Sequence, residues 1–174
     1  MVTESYPIIL DEDVIETEKQ MLASEEGNYM EPEQVKYAII HCSATKCNRD
    51  YTAEQLLRDH KARGFITGGY HFYVRRSGET TQYRRLLQVG AHCRPWNRCS
   101  IGICYEGGLD EGGHPANTLT QEQYLRISDI LKVLRKMFPS IEVRGHRDMP
   151  GTTPKECPCF DARTMFDTSE QVKN

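Results

Sequence analysis

The chain has 174 residues, 38% of them hydrophobic and 27% charged, and a net charge of −3. This composition is typical of a globular protein that buries an adequate core without metal or disulfide staples. It offers no apolar run near the ~20 residues of a spanning helix, no basic run typical of nucleic acid binding and no visible secretory signal. We therefore expect cytoplasmic synthesis, no membrane span, no nucleic acid partner and, by default, a monomer.

The N-terminal part of the chain differs in charge from the rest. Residues 1–30 carry a net charge of −7, whereas the remainder carries +4. A short helix is predicted from Asp11 to Ser24, followed by a linker from Gly27 to Pro32. We interpret residues 1–34 as an acidic extension that docks on the domain surface or, alternatively, binds a partner. The mildly basic body suits an anionic polymer, although ordinary surface charge explains it equally well.

Alternating strand and helix patterns fill the rest of the chain. Apolar and β-branched runs predict five strands: Val35–Cys42, Tyr70–Arg76, Thr80–Arg84, Ser100–Tyr105 and Ile141–Gly145. Capping boxes at Thr52 and Thr120 predict helices that extend to about Arg63 and Phe138, and a final short helix follows Asp161. The apolar face of the longer helix is predicted to comprise Leu125, Ile127, Ile130, Leu131, Leu134 and Met137. This order predicts a single α/β domain with a central mixed β-sheet flanked by helices.

Two histidines and two cysteines stand where a metal site could form. His41 ends the first predicted strand, and His146 follows the last one. Cys157 and Cys159 follow in a loop rich in proline and glycine, and either sulfur could be a ligand. Two imidazoles and one thiolate are a zinc ligand set that leaves a fourth position for water, as catalytic zinc sites do. The sequence therefore predicts a zinc site at the strand ends.

The seven cysteines do not indicate a disulfide framework, because an odd number cannot all pair within one chain. Without a visible secretory signal, reduced thiols and one metal ligand are the simpler interpretation. A disulfide between Cys93 and Cys99, formed after release into an oxidising space, is the alternative.

Several short blocks occur in an order that resembles a known family. They are Ile40–Ala44, Gly69–Phe72, Gly90–His92, Asn97, Ser100–Ile103, Gly107–Gly108, Gly145–Asp148 and Lys155–Asp161. In these blocks the chain resembles the type 2 N-acetylmuramoyl-L-alanine amidases, the family of the T7-type phage lysozymes and the animal peptidoglycan recognition proteins. The resemblance runs from about Val35 to Asp161 and implies that residues 35–174 form an amidase catalytic domain.

The resemblance also assigns metal ligands. It implies zinc bound by His41, His146 and Cys157, because the family cysteine precedes proline and stands two residues after a lysine. The family has a small residue at the position of Cys159, so this chain departs from the pattern there.

Four further residues match family positions. Tyr70 and Lys155 correspond to the catalytic tyrosine and lysine, and His92 and Asn97 to residues that line the substrate groove. The implied reaction is zinc-dependent hydrolysis of the amide between N-acetylmuramic acid and L-alanine in peptidoglycan, with Lys155 stabilising the developing negative charge. Tyr70 would either position the water or relay a proton.

Two other functions remain open from the residues alone. Cys157 and His146 could form the nucleophile and base of a cysteine hydrolase. A non-catalytic protein that binds peptidoglycan or regulates a partner is the other alternative, although non-catalytic relatives typically lack the cysteine ligand. An active amidase without a visible leader would act on the cell wall after release or delivery.

Overall fold

A computed structural model describes residues 28–152 and 156–166, and its centre is a mixed five-stranded sheet. The sheet strands are β1 (Tyr37–Cys42), β3 (Phe72–Val74), β4 (Thr80–Gln82), β5 (Ser100–Tyr105) and β7 (Glu142–Gly145). Their order is β4-β3-β5-β1-β7, with β4 antiparallel to β3 and the other pairs parallel. The predicted mixed sheet is thus confirmed.

A small second ladder was not predicted. It joins β2 (Thr45–Lys46) to β6 (Gly108–Leu109), two residues on each side. Segments this short carry too little periodicity to be recognised in a sequence.

Within the described residues, three α-helices flank the sheet: α1 (Ala53–Ala62), α2 (Gln121–Met137) and α3 (Ala162–Met165). Both predicted capping boxes are present, with the hydroxyls of Thr52 and Thr120 accepting from the backbone N–H groups of Gln55 and Gln123. None of the described helices is long and apolar enough to span a membrane.

The core forms where α2 packs against the sheet. Strand β1 lies between β5 and β7, and its residues 38–42 are all buried, as expected for a central parallel strand. The buried face of α2 comprises Gln123, Ile127, Ile130, Leu131 and Leu134. Leu125 was wrongly assigned to this face, because its side chain is 53% exposed.

Strands β3 and β4 are shorter than predicted. The predicted strand Tyr70–Arg76 is reduced to Phe72–Val74, so Tyr70 lies in a bend before β3. A Cβ atom on Gly69 would lie 2.3 Å from the carbonyl oxygen of Ala91, so only glycine fits there. Arg84, predicted as the end of β4, is instead buried beyond it, where its Nε donates to the carbonyl of Gly68.

The predicted N-terminal helix, Asp11–Ser24, lies outside the described residues. The described chain packs on the domain from its start. Met30 is 1% exposed within the main core, and its N–H donates to the carbonyl of Leu87 at 2.6 Å.

Candidate metal centre and cleft

The register of two parallel strands brings the two predicted histidine ligands together. Ile40 of β1 pairs with Gly145 of β7, so the following residues, His41 and His146, emerge side by side at the same edge of the sheet. Their rings lie 4.5 Å apart, centroid to centroid. Although they are far apart in the sequence, the sheet determines their proximity.

Cys157 completes the cluster. One ligand atom from each of His41, His146 and Cys157 lies within 4.8 Å of the others. The backbone N–H of Cys42 donates to the Cys157 sulfur at 3.2 Å. The structure thus brings together the three predicted ligands.

The loop that carries Cys157 is fixed to the sheet by two hydrogen bonds. The N–H of Arg147 donates to the carbonyl of Cys157 at 2.8 Å, and the buried hydroxyl of Tyr105 donates to the carbonyl of Pro158 at 2.6 Å. One backbone N–H and one buried side-chain hydroxyl therefore hold the loop that positions the sulfur.

Cys159 lies outside the cluster. Its sulfur donates to the carbonyl of Gly108 at 3.4 Å, on the side of the loop towards the small β2–β6 ladder. All seven cysteines are free thiols, so the predicted alternative of a disulfide between Cys93 and Cys99 is not formed.

The clustered histidines are neutral near neutral pH. His41 is 1% exposed, and burial, followed by the nearby His92 and His146, lowers its pKa well below 6.5. Burial also lowers the pKa of His146 to about 4. A neutral imidazole is the form that binds a metal ion.

The donor set suits zinc in chemistry and in size. Tetrahedral zinc with bonds of about 2.0–2.3 Å to nitrogen and sulfur places its ligand atoms roughly 3.3–3.8 Å apart. The observed spacing within 4.8 Å therefore requires only a small inward movement. Two neutral imidazoles and one thiolate also leave one tetrahedral position open.

His92 and Asn97, predicted to line a substrate groove, do line the cleft above the cluster. Their polar atoms also make internal contacts. The Nδ1 of His92 lies 2.8 Å from the Nε2 of His41, and the Oδ1 of Asn97 accepts from the backbone N–H groups of His92 and Cys93 at 2.9 and 2.8 Å. In Asn97 the amide nitrogen, which takes no part in those two contacts, is the atom available to a ligand.

Tyr70 lies beside the cluster, with its ring centroid 5.0 Å from that of His41. Burial, and then the neighbouring thiols, raise the pKa of its hydroxyl well above 10. The bend that carries it is held by His60, whose Nδ1 accepts from the N–H of Gly69 at 2.8 Å. The other predicted catalytic residue, Lys155, lies outside the described residues.

The cluster opens into a cleft of about 830 Å³. Its described lining includes two cationic side chains, Arg63 and Arg94, and no carboxylate. The guanidinium of Arg63 lies 5.0 Å from the centre of the Phe65 ring, which also lines the cleft. The sequence analysis missed both arginines, because a loop arginine carries no signal of which cleft it faces.

Comparisons with known proteins find similar sequences over most of the chain. The family model of the N-acetylmuramoyl-L-alanine amidases matches residues 31–160. The endolysin of Enterobacteria phage K11 is 36% identical over 134 residues, which cover 77% of this chain and 87% of the relative. The endolysin of Escherichia phage T7 is 30% identical over 144 residues, covering 83% and 93%.

A more distant similarity extends to animal proteins and to solved structures. Peptidoglycan recognition protein 1 of Bos taurus is 29% identical over 125 residues, covering 68% of this chain and 65% of that protein. The solved N-acetylmuramoyl-L-alanine amidase LysC from Clostridium intestinale superposes with a TM-score of 0.66 at 23% identity, covering 81% of this chain and 87% of its own. At that identity, the structural likeness supports the fold alone.

Proposed function

The chain belongs to the N-acetylmuramoyl-L-alanine amidase family, and from this premise we propose that it is a zinc-dependent peptidoglycan amidase. The bond cleaved is the amide between N-acetylmuramic acid and L-alanine. The observation that carries the proposal is the cluster of His41, His146 and Cys157, which reaches an open cleft through His146. A binding protein without activity has no need of a catalytic ligand set beneath its cleft.

His41, His146 and Cys157 would hold the zinc ion. When bound, zinc supplies the Lewis acidity that makes a water molecule nucleophilic near neutral pH and polarises a carbonyl. The chain's own contribution is to keep both imidazoles neutral by burial and to position the Cys157 sulfur with the N–H of Cys42.

Tyr70 and Lys155 are proposed as the catalytic side chains. The Tyr70 hydroxyl retains its proton at neutral pH, so it can donate a hydrogen bond to the water or to the developing oxyanion. Lys155, which the family motif places two residues before Cys157, would add a positive charge near that oxyanion. No carboxylate lines the described cleft, which is consistent with a site that does not use Asp or Glu as its base.

His92 and Asn97 are proposed to contact the substrate. Because the Nδ1 of His92 is engaged by His41, that contact would be made by the face of the imidazole ring. The Asn97 amide nitrogen can donate to a carbonyl of the peptide. Arg63 and Arg94 make the cleft cationic, which suits a wall polymer whose peptides carry carboxylates.

Digestion of purified peptidoglycan with the zinc-loaded chain, with and without a chelator, tests the function. Mass spectrometry should detect peptides with new L-alanine N-termini only while zinc is present. A thiol nucleophile needs no metal, so release that persists after full metal removal would instead support a cysteine hydrolase. No release despite confirmed zinc binding would leave a non-catalytic wall-binding protein.

A matched pair of variants controls that assay. His146→Ala should abolish release, whereas His114→Ala should not, because His114 is 80% exposed outside the cleft. Retained release in His146→Ala would contradict the ligand assignment.

The remaining proposals concern the domain boundaries, the oligomeric state and the place of action. We propose an acidic extension over residues 1–34, an amidase catalytic domain over residues 35–174, a monomer, and action on the cell wall after release or delivery. Limited proteolysis tests the boundary. Because Met30 is 1% exposed, protection of residues 30–34 from cleavage would move the start of the domain before residue 30.

A further inference from the structure

A row of hydrogen bonds runs from the proposed ligand His41 into the interior. The Nε2 of His41 lies 2.8 Å from the Nδ1 of His92, and the Nε2 of His92 lies 3.2 Å from the hydroxyl of Ser100. That hydroxyl donates to the backbone carbonyl of Trp96 at 2.7 Å. Ser100 is fully buried. No metal site requires this row, so its function calls for an explanation.

The positions of the protons follow from the far end of the row. A carbonyl can only accept, so the single hydroxyl proton of Ser100 points to Trp96. Ser100 must then accept from Nε2–H of His92. A neutral imidazole has only one N–H, so the Nδ1 of His92 is a lone pair and accepts from Nε2–H of His41.

The surroundings of His92 prevent its ring from turning to another arrangement. A Cβ atom on Gly90 or on Gly102 would lie 2.7 Å from ring atoms of His92, so both glycines lie directly against the imidazole. The backbone N–H of His92 donates to the Oδ1 of Asn97, which also fixes the backbone of His92. This packing restricts the ring, and both ring nitrogens meet a hydrogen-bond partner in the observed orientation, which sets the direction of the hydrogen bonds.

We propose that Ser100 and His92 are positioning residues that fix His41 in its Nε2–H tautomer and so present its Nδ1 to the metal. This inference rests on the proposed metal site but not on the reaction carried out there. A histidine ligand usually donates its second N–H to a carboxylate, a backbone carbonyl or a water. Here a neutral imidazole accepts it, so no additional negative charge approaches the metal and its Lewis acidity is preserved.

The tautomers can be measured directly. Long-range proton–nitrogen correlation spectra of the ¹⁵N-labelled, metal-free full chain at neutral pH should show His41 and His92 protonated at Nε2. His60 and His71 provide internal references, because the Nδ1 of each accepts a backbone N–H, from Gly69 and from Gly102. A His41 protonated at Nδ1 would overturn the proposal.

Variants test whether the row acts on the metal. In Ser100→Ala the Nε2–H of His92 loses its acceptor, so we expect mixed tautomers at His41 and a loss of Zn²⁺ affinity of about 10–100-fold, measured by chelator competition. His92→Asn keeps an acceptor oxygen near the position of Nδ1 and should retain Zn²⁺ affinity within a few fold.

Ser128→Ala is the matched control, because it also removes a buried hydroxyl, one without a hydrogen-bond partner and far along the chain on α2. Equal Zn²⁺ affinity and unchanged His41 tautomer in Ser100→Ala and Ser128→Ala would overturn the proposal. These readouts do not involve peptidoglycan. Correct tautomers together with no hydrolysis would therefore count against the amidase reaction and leave the positioning role intact.

Discussion

The floor and the rim of the cleft are built differently. The floor is the cluster of His41, His146 and Cys157 together with His92. It reaches the cleft through His92 and His146, and its residues are positioned by the sheet register or by backbone hydrogen bonds. The rim, Arg63, Phe65, Arg94 and Thr152, comes from the C-cap of α1 and from loops, and its two arginines are exposed. We infer that the floor determines whether the reaction occurs, whereas the rim determines which substrates reach it.

The largest effect is expected at the floor. Cys157→Ser should lose zinc and reduce kcat/KM by about 10³-fold or more, because metal stabilisation of the transition state contributes several kcal/mol. Activity on a defined muropeptide and zinc content measure the two losses. Cys47→Ser removes a thiol outside the cluster and should preserve both. Activity retained in Cys157→Ser would remove the distinction between floor and rim.

The second largest effect is expected on the free energy of unfolding at acid pH. It arises from His71, a buried histidine whose ring centroid lies 6.0 Å from that of His92. Burial lowers the pKa of His71 to about 4 in the folded chain, below the ~6.5 of an unfolded one. The unfolded state therefore binds more protons between these values, so stability is present above pH ~6.5 and is lost as the pH falls towards ~4. The loss amounts to about 3 kcal/mol.

Urea unfolding at neutral and acid pH measures that loss. His71→Asn, which can still accept the N–H of Gly102, should reduce the acid dependence, and the remainder reflects the other buried histidines such as His41 and His146. An acid dependence that is identical in wild type and His71→Asn would contradict the assignment.

Tyr70→Phe should give the next largest effect. Removing one donor to the developing oxyanion or water should lower kcat by about 10²-fold with little change in KM. Tyr83→Phe removes a hydroxyl that donates to the carbonyl of Ala53, outside the cleft lining, and should leave kcat unaltered. A change confined to KM would mean that Tyr70 contributes to substrate binding and not to the chemical step.

Smaller effects are expected at the rim. Arg63→Gln and Arg94→Gln should each raise KM by roughly two- to fivefold, because exposed charges contribute only about 0.2–1 kcal/mol. The effect should shrink as salt is added. Arg58→Gln, an exposed change on α1 outside the cleft, is the control. A fall in kcat for either rim variant would show that the rim takes part in the chemistry.

The smallest effect is expected at Cys159. Cys159→Ser should keep zinc and activity, and we expect a change in unfolding free energy below about 1 kcal/mol, because a serine can also donate to the Gly108 carbonyl. Denaturant unfolding and zinc analysis provide the measurements. Loss of zinc would mean that the thiol of Cys159 takes part in the centre.

The sequence analysis was most successful where a local pattern determines structure. Strand-like apolar runs ending at His41 and preceding His146 predicted their meeting at one sheet edge, and the Thr-x-x-Gln boxes predicted both long helices. Residue types alone could not choose between Cys157 and Cys159. The family resemblance chose the sulfur that lies in the cluster.

Features that depend on distant contacts escaped prediction. The bend at Tyr70 depends on the approach of Gly69 to Ala91, which no local pattern reports. The sequence predicted Ser100 only as the first residue of a strand, but its hydroxyl also links His92 to the carbonyl of Trp96 in the row of hydrogen bonds from His41. Leu125 fits a helical apolar stripe by spacing, but it lies at the edge that α2 leaves exposed.

The pairing of β1 with β7 also bears on how the chain is made. β1 is the first strand of the sheet to leave the ribosome and β7 the last, so the sheet edge that carries His41 and His146 cannot form until both have emerged. Contacts of such long sequence separation form late in folding. A nascent or prematurely terminated chain that lacks β7 therefore cannot assemble the proposed metal site, and because Cys157 follows β7, hydrolytic activity would report that synthesis has passed Cys157.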